Sequence, residues 1–180
     1  TVAELLALKP TLPALRVVKH ARNLGQSRAV RTGVIASRAP LVVTLDGDGQ
    51  NDPADIPKLL AALRREPAPT MVAGERAKRE DKWSKRAASR LANGFRRWML
   101  ADGARDTGCG LKAFRREAFL ALPYFDHMHR YLITLMLHEG YEVRFESVGH
   151  RPRTAGRSKY GVWDRFIVGI SDVFGVLWLK

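Results

Sequence analysis

Apolar positions along the chain switch between two rhythms, one helical and one strand-like. Val2–Leu8 reads as a helix, with Thr1 and Glu4 at capping-box spacing ahead of Leu5, Leu6 and Leu8. Leu15–Lys19 reads as a short strand. Gln26–Ser37 reads as a helix after the Asn23-Leu24-Gly25 turn. Leu41–Leu45 is a continuous apolar run, which predicts a strand buried on both faces. The loop Asp46–Asp52 follows, and Pro53 starts a helix that runs to about Arg65. Thr70–Gly74 is a further strand, and Trp83–Leu100 a long basic helix. Beyond it the pattern predicts a strand at Gly110–Phe114, a helix at Arg116–Leu122, a helix at Tyr131–Glu139 ended by Gly140, and a strand at Tyr141–Ser147. The Met and aromatic positions of Tyr131–Leu137 read as core. Alternation of this kind predicts an α/β fold with a largely parallel sheet. Ligands of such sheets bind beyond the carboxyl ends of the strands, where the Asp46 loop lies.

The last segment has a different character. Trp163, Phe166, Ile167, Ile170, Val173, Phe174, Leu177 and Trp178 recur at helical spacing, with Asp164, Arg165, Ser171 and Asp172 between them. This amphipathic helix is too short and too charged to span a bilayer. It either docks on the core, or lies on a membrane surface or leads into a lost membrane segment, and its tryptophans and nearby arginines favour the membrane. Residues 1–160 are therefore expected to form one domain and 161–180 a membrane-proximal or core-docking helix. A chain that opens on a helix cap also looks like a domain cut from something longer.

Composition narrows the function. The 180 residues are 46% hydrophobic, enough for a sizeable core. Cys109 is the only cysteine, so no internal disulfide forms, and a reducing compartment is expected. One cysteine and five scattered histidines argue against a structural zinc site. The net charge is +13, and its placement says more than its size. Arg76 to Arg97 carries nine basic and two acidic residues, and Arg151 to Arg165 five and one. Basic clusters seek polyanions. A nucleic-acid module would interleave them with stacking aromatics. Only Trp83, Phe95 and Trp98 lie nearby, and such a module has no use for an acidic loop.

That loop, Asp46-Gly47-Asp48-Gly49-Gln50-Asn51-Asp52-Pro53, carries the clearest chemistry. Two carboxylates one residue apart at a strand end face one pocket if the backbone turns, and Gly47 and Gly49 permit the turn. Hard cations such as Mg²⁺ or Mn²⁺ take oxygen ligands, often one or two carboxylates plus substrate phosphates. The plain alternative is an acidic turn satisfied by its own backbone. Its place after an apolar strand and before a helix favours a metal-and-diphosphate site.

The stretch resembles the Asp-x-Asp region of family 2 glycosyltransferases with the GT-A fold. More narrowly it is similar to the dolichol-phosphate mannosyltransferase-like branch, which glycosylates polyprenyl phosphates. The resemblance runs through Asn23-Leu24-Gly25 with Ala29–Gly33, Asp46–Pro53 with Asp55-Ile56-Pro57, and Gly74-Glu75-Arg76. It continues through Ser89–Asn93, Asp106–Lys112, His129-Arg130, and His150–Arg153 with Gly156–Tyr160.

The resemblance implies a GT-A (Rossmann-like) domain lacking its amino-terminal strand, together with that strand's acidic Asp-Gly-Ser segment for base and ribose. It implies that Asp46 contacts the donor and orders the metal site, while Asp48 and Gln50 ligate Mg²⁺ or Mn²⁺ on the donor diphosphate. Arg76 would meet the acceptor phosphate together with Lys85 or Arg86 and Ser89 on the next helix. Arg153, Ser158 and Lys159 would help close over the phosphates. Asp106 would touch acceptor or sugar. Cys109 is expected to be a small packed residue, and His127 and His129 to be structural.

The implied reaction is inverting hexose transfer from a GDP- or UDP-sugar to a dolichyl or undecaprenyl phosphate. It would take place at the cytoplasmic face of a membrane, with room for a membrane-protein partner. A second reading changes the acceptor to a non-lipid hydroxyl. That reaction needs a general base, for which Asp106 is the candidate.

Overall fold

The computed structural model describes residues 2–76, 106–151, 172 and 175–178. The first helix, α1 (Val2–Leu8), buries none of its residues. In α2 (Gly25–Ala36) the Asn23 carboxamide oxygen accepts from the Gly25 amide at 3.0 Å, and Gly25 has φ 79°, a turn that suits glycine. Strand β1 (Leu41–Thr44) then leads into the acidic loop. At Asp52 a side-chain oxygen accepts from the Ala54 amide at 3.1 Å, which starts a short 3-10 turn, Pro53–Asp55. Helix α3 (Ile56–Leu63) follows directly and buries Leu59, Ala62 and Leu63.

Strand β2 (Met71–Arg76) is buried at its first four positions. Strand β3 (Lys112–Arg115) passes straight into α4 (Arg116–Ala121), and Phe114 stacks on Phe119 at 5.1 Å across that junction. A 3-10 turn, Met128–Arg130, precedes α5 (Leu132–His138), whose first five residues are buried. Strand β4 (Val143–Val148) is the last described strand.

The sheet order is β1-β3-β2-β4. Strands β1, β2 and β4 point the same way, but β3 is reversed and lies between β1 and β2. The expectation of shared strand direction therefore holds for three strands. Two of the three pairings are nonetheless antiparallel, because β3 enters between two strands that precede it in sequence.

Alternation along β2 sorts the core into two layers. Met71 and Ala73 join Val34, Phe114, Phe119 and Met136 beneath α2, α4 and α5. Val72 joins Leu59, Leu63, Leu111 and Val148 beneath α3.

Several sequence expectations shift. Leu15–Lys19 forms no strand, since no described strand pairs with it; Arg16 instead donates to the Ala36 carbonyl at 2.6 Å. Strand β1 is only half-buried throughout, and among the described strands it lies at the sheet edge. The helix beginning at Pro53 ends at Leu63 and opens as a 3-10 turn. The Trp83–Leu100 helix lies outside the described residues, as does most of 161–180. Of that last segment, Val176 is fully buried in the α2–α4–α5 layer and Asp172 lies 3.1 Å from His127 Nδ1, so these residues dock on the core. Trp178 is 86% exposed. No helix among the described residues is long and apolar enough to cross a membrane.

Candidate active site

Strand β1 ends where the acidic loop turns away, and two neighbours fix Asp46 there. Gln26, from the first turn of α2, donates its carboxamide Nε2 to Asp46 Oδ1 at 3.0 Å. On the other side, a β-carbon on Gly110 would sit 2.2 Å from Asp46 Oδ2, so only glycine admits the carboxylate. Thr44 helps place Gly110 by donating to its carbonyl at 2.9 Å. Burial raises the Asp46 carboxyl above the usual carboxylate range, and Asp48 adds to the rise. Lys112, Gln26 and Arg76 work in the opposite direction.

Two residues on, Asp48 Oδ1 accepts from the Gln50 amide at 3.1 Å. The Gln50 carboxamide nitrogen lies 3.4 Å from His150 Nε2, and the Gln50 carbonyl accepts from the Arg151 amide at 2.9 Å. Arg151 also pairs with Asp52, and the Gly149 amide donates to Asp55 at 2.8 Å. The chain leaving β4 is thus fastened to the acidic loop just before Arg153. Among the described residues no three His, Cys, Asp or Glu side chains cluster into a metal cage. The oxygens of Asp48 and Gln50 suit a hard cation that keeps waters and takes its remaining ligands from a substrate.

Arg76, at the end of β2, is held by Asp106. Its Nε and Nη2 donate to the two carboxylate oxygens at 2.6 and 2.7 Å, and its amide donates to Oδ2 at 3.3 Å. Asp106 is buried, and both of its oxygens serve the guanidinium, so this pair is the setting that the sequence did not foretell for either residue.

Lys112 was also not singled out as a site residue. Its side chain is buried, and its ammonium donates to the carbonyls of Cys109 and, at 3.5 Å, Thr107. Burial lowers its affinity for a proton, while Cys109, Asp46 and Asp106 act to keep it charged. The available signal was a lysine in an otherwise apolar strand pattern, Leu111 to Phe114. Cys109 is buried as expected.

Asp46, Gln26 and Lys112 line one cleft of about 430 Å³, whereas Asp48, Gln50, Arg76 and Asp106 lie outside its lining. Its walls include Gln26 and Asp46 on one side of the sequence and Gly108, Lys112, His129 and Arg130 on the other. Among the predicted site residues, the structure gathers Asp46, Asp48 and Gln50 in one loop and pairs Arg76 with Asp106. Lys85, Arg86, Ser89, Arg153, Ser158 and Lys159 lie outside the described residues.

An α/β sheet with an Asp-x-Asp loop at a strand end, its Asp46 lining a cleft beside Arg130, fits the GT-A class of fold. Comparison with known proteins agrees. The model of glycosyl transferase family 2 matches residues 1–122, and the chain belongs to that family. It is 31% identical over 166 residues to the dodecaprenyl-phosphate galacturonate synthase of Rhizobium johnstonii, covering 91% of this chain and 49% of that protein. It is 37% identical over 142 residues to the undecaprenyl-phosphate 4-deoxy-4-formamido-L-arabinose transferase of Pseudomonas aeruginosa, covering 77% and 40%. The chain thus spans about half the length of the curated relatives it matches. Among solved structures, glucosyl-3-phosphoglycerate synthase from Mycobacterium tuberculosis, in complex with Mg²⁺ and uridine diphosphate, superposes with a TM-score of 0.63 at 18% identity. That match covers 94% of this chain and 57% of the other. Mannosyl-3-phosphoglycerate synthase from Rubrobacter xylanophilus gives 0.61 at 16% identity, covering 84% and 49%. At these identities the likeness shows the fold.

Proposed function

We propose that the protein transfers a hexose or related sugar from a nucleotide-sugar to a polyprenyl phosphate, with inversion, as in the dolichol-phosphate mannosyltransferase-like branch. The observation that carries this reading is the cleft that the Asp46 carboxylate and the Arg130 guanidinium both line. A carboxylate loop suits a metal-bound diphosphate, and cations suit a second anionic substrate. The relatives' printed names, both polyprenyl-phosphate sugar transferases, support the acceptor class.

Asp48 and Gln50 would hold Mg²⁺ or Mn²⁺, with Asp46 ordering the loop. Bound there, the metal would offset charge on the departing nucleoside diphosphate. Arg76, with Lys85 or Arg86 and Ser89, would grip the acceptor phosphate, and Asp106 would set the direction of the Arg76 fork. Arg153, Ser158 and Lys159 would close over the phosphates. A phosphate acceptor is already ionised at neutral pH and needs little help from a base. The hydroxyl-acceptor reading needs a base, and Asp106 is poorly placed to be one, because both its oxygens accept from Arg76. A lipid acceptor puts the reaction at a membrane surface, on the cytoplasmic face where nucleotide-sugars are supplied.

The test is a transfer assay with radiolabelled UDP- and GDP-sugars, using undecaprenyl phosphate, dolichyl phosphate and non-lipid hydroxyl acceptors in parallel. Metal-dependent label in the lipid phosphate, lost in Asp48→Ala, is expected. Transfer only to hydroxyl acceptors would overturn the acceptor assignment.

A further inference from the structure

His129 belongs to the 3-10 turn before α5, lines the cleft, and is joined to α2 by a contact across 102 residues. Its Nδ1 lies 2.7 Å from the hydroxyl oxygen of Ser27. The same hydroxyl oxygen accepts from the His129 backbone amide at 3.3 Å. Ser27 is only 3% exposed, so its single hydroxyl proton needs an acceptor within the protein. The only acceptor it meets among the described residues is His129 Nδ1. The proton therefore points at Nδ1, and Nδ1 must carry none. A neutral imidazole with a bare Nδ1 bears its hydrogen on Nε2.

Charge supports that state. Burial, and then the nearby Arg130, Lys112 and His127, bring the His129 pKa down to about 4. The ring is neutral across the physiological range. Its Nε2 finds no hydrogen-bond partner among the described residues, although the ring lines the cleft.

We infer that His129 is a specificity-determining residue, which donates Nε2–H to a hydroxyl of the sugar being transferred while Ser27 fixes its tautomer. The inference rests on the nucleotide-sugar reading above and adds a named contact to it. A cation already serves the anionic parts of the cleft, since Arg130 lines it. A neutral donor adds little for a phosphate beside it. Toward a neutral hydroxyl it is well matched, and a site built to bond a hydroxyl rejects analogues that lack it.

The test measures two affinities on the same protein in the presence of Mg²⁺. UDP-glucose, UDP-galacturonate and GDP-mannose are titrated, each beside bare UDP or GDP. His129→Phe should weaken the nucleotide-sugar that binds by about tenfold or more, and leave the bare nucleotide within about twofold. His129→Gln, which keeps an N–H donor, should recover part of the loss. Ser27→Ala should show a smaller loss confined to the nucleotide-sugar. Equal weakening of both ligands by His129→Phe would overturn the inference, as would no weakening of either. Nitrogen-15 NMR of the wild-type imidazole at pH 7 supplies a readout independent of activity. Protonated Nε2 with bare Nδ1 is expected, and the opposite tautomer overturns the inference. If wild type binds none of the three nucleotide-sugars, the functional reading and the sugar assignment fall together, while the NMR result still decides the tautomer.

Discussion

The Asp46 carboxylate occupies the space that a β-carbon on Gly110 would fill. All three of its terminal atoms lie within 2.8 Å of that position. Gly110→Ala should therefore push the carboxylate out of the cleft or displace the 106–110 loop. Metal-dependent nucleotide binding should fall by on the order of tenfold, read by calorimetric titration. A circular dichroism spectrum like wild type would separate the local effect from unfolding. Retained affinity would show that the contact does not position Asp46.

Arg76 and Asp106 act as one unit, with side chains 15% and 7% exposed. Removing either partner leaves a nearly buried charge without its counterpart, and such changes cost roughly 3–5 kcal/mol. Arg76→Met and Asp106→Leu should each destabilise strongly, while the double variant should be less destabilised than the sum of the two. Chemical denaturation of all four proteins measures the coupling. Additive losses would mean that the two side chains do not depend on each other.

Lys112 holds the Thr107 and Cys109 carbonyls from beneath the loop that carries Asp106 and Gly110. Lys112→Met keeps much of the volume and removes the donor. Amide exchange in the peptide spanning 106–112 should quicken, with the α3 and α4 peptides unchanged. Catalytic turnover should drop by about tenfold or more, since misplacement of about an ångström has a large effect on such sites. Unaltered exchange would show that the loop holds its shape without the ammonium.

Acid stability tests the His129 environment. The folded-state pKa of about 4 lies below the ordinary imidazole value of 6.5. Above 6.5 the ring is neutral whether folded or unfolded, so its contribution is then constant. As pH falls from about 6.5 to about 4, the unfolded chain takes up a proton that the folded one refuses, and stability is lost. The loss approaches roughly 3 kcal/mol at the lower end. His129→Gln should lack this share of the slope in urea melts at pH 7 and pH 4.5. An identical slope in both proteins would place the titration elsewhere.

The sequence made some parts of the site legible and not others, for physical reasons. Asp46, Asp48 and Gln50 could be read because local chain geometry alone brings them together at a strand end. Strand β2 and helix α5 were legible because their apolar periods match their burial. The reversed β3 was not, since a strand's direction depends on partners distant in sequence. Leu15–Lys19 has strand-like residues, but a strand also requires a hydrogen-bonding neighbour. The Arg76–Asp106 fork and the Ser27–His129 bond join residues 30 and 102 positions apart, and nothing in local spacing announces them. Lys112 stood out only as a charge inside an apolar run, which by itself does not distinguish a buried anchor from a surface lysine.

The central claim is that the Asp46–Gln50 loop binds a metal-bound nucleoside diphosphate. Titration of UDP and GDP into the full-length protein, with Mg²⁺ or Mn²⁺ and then with excess chelator, tests it most directly. Binding by at least one nucleotide that requires the metal, and that weakens tenfold or more in Asp48→Ala, is the expected result. Binding that is indifferent to both the metal and Asp48 would contradict it.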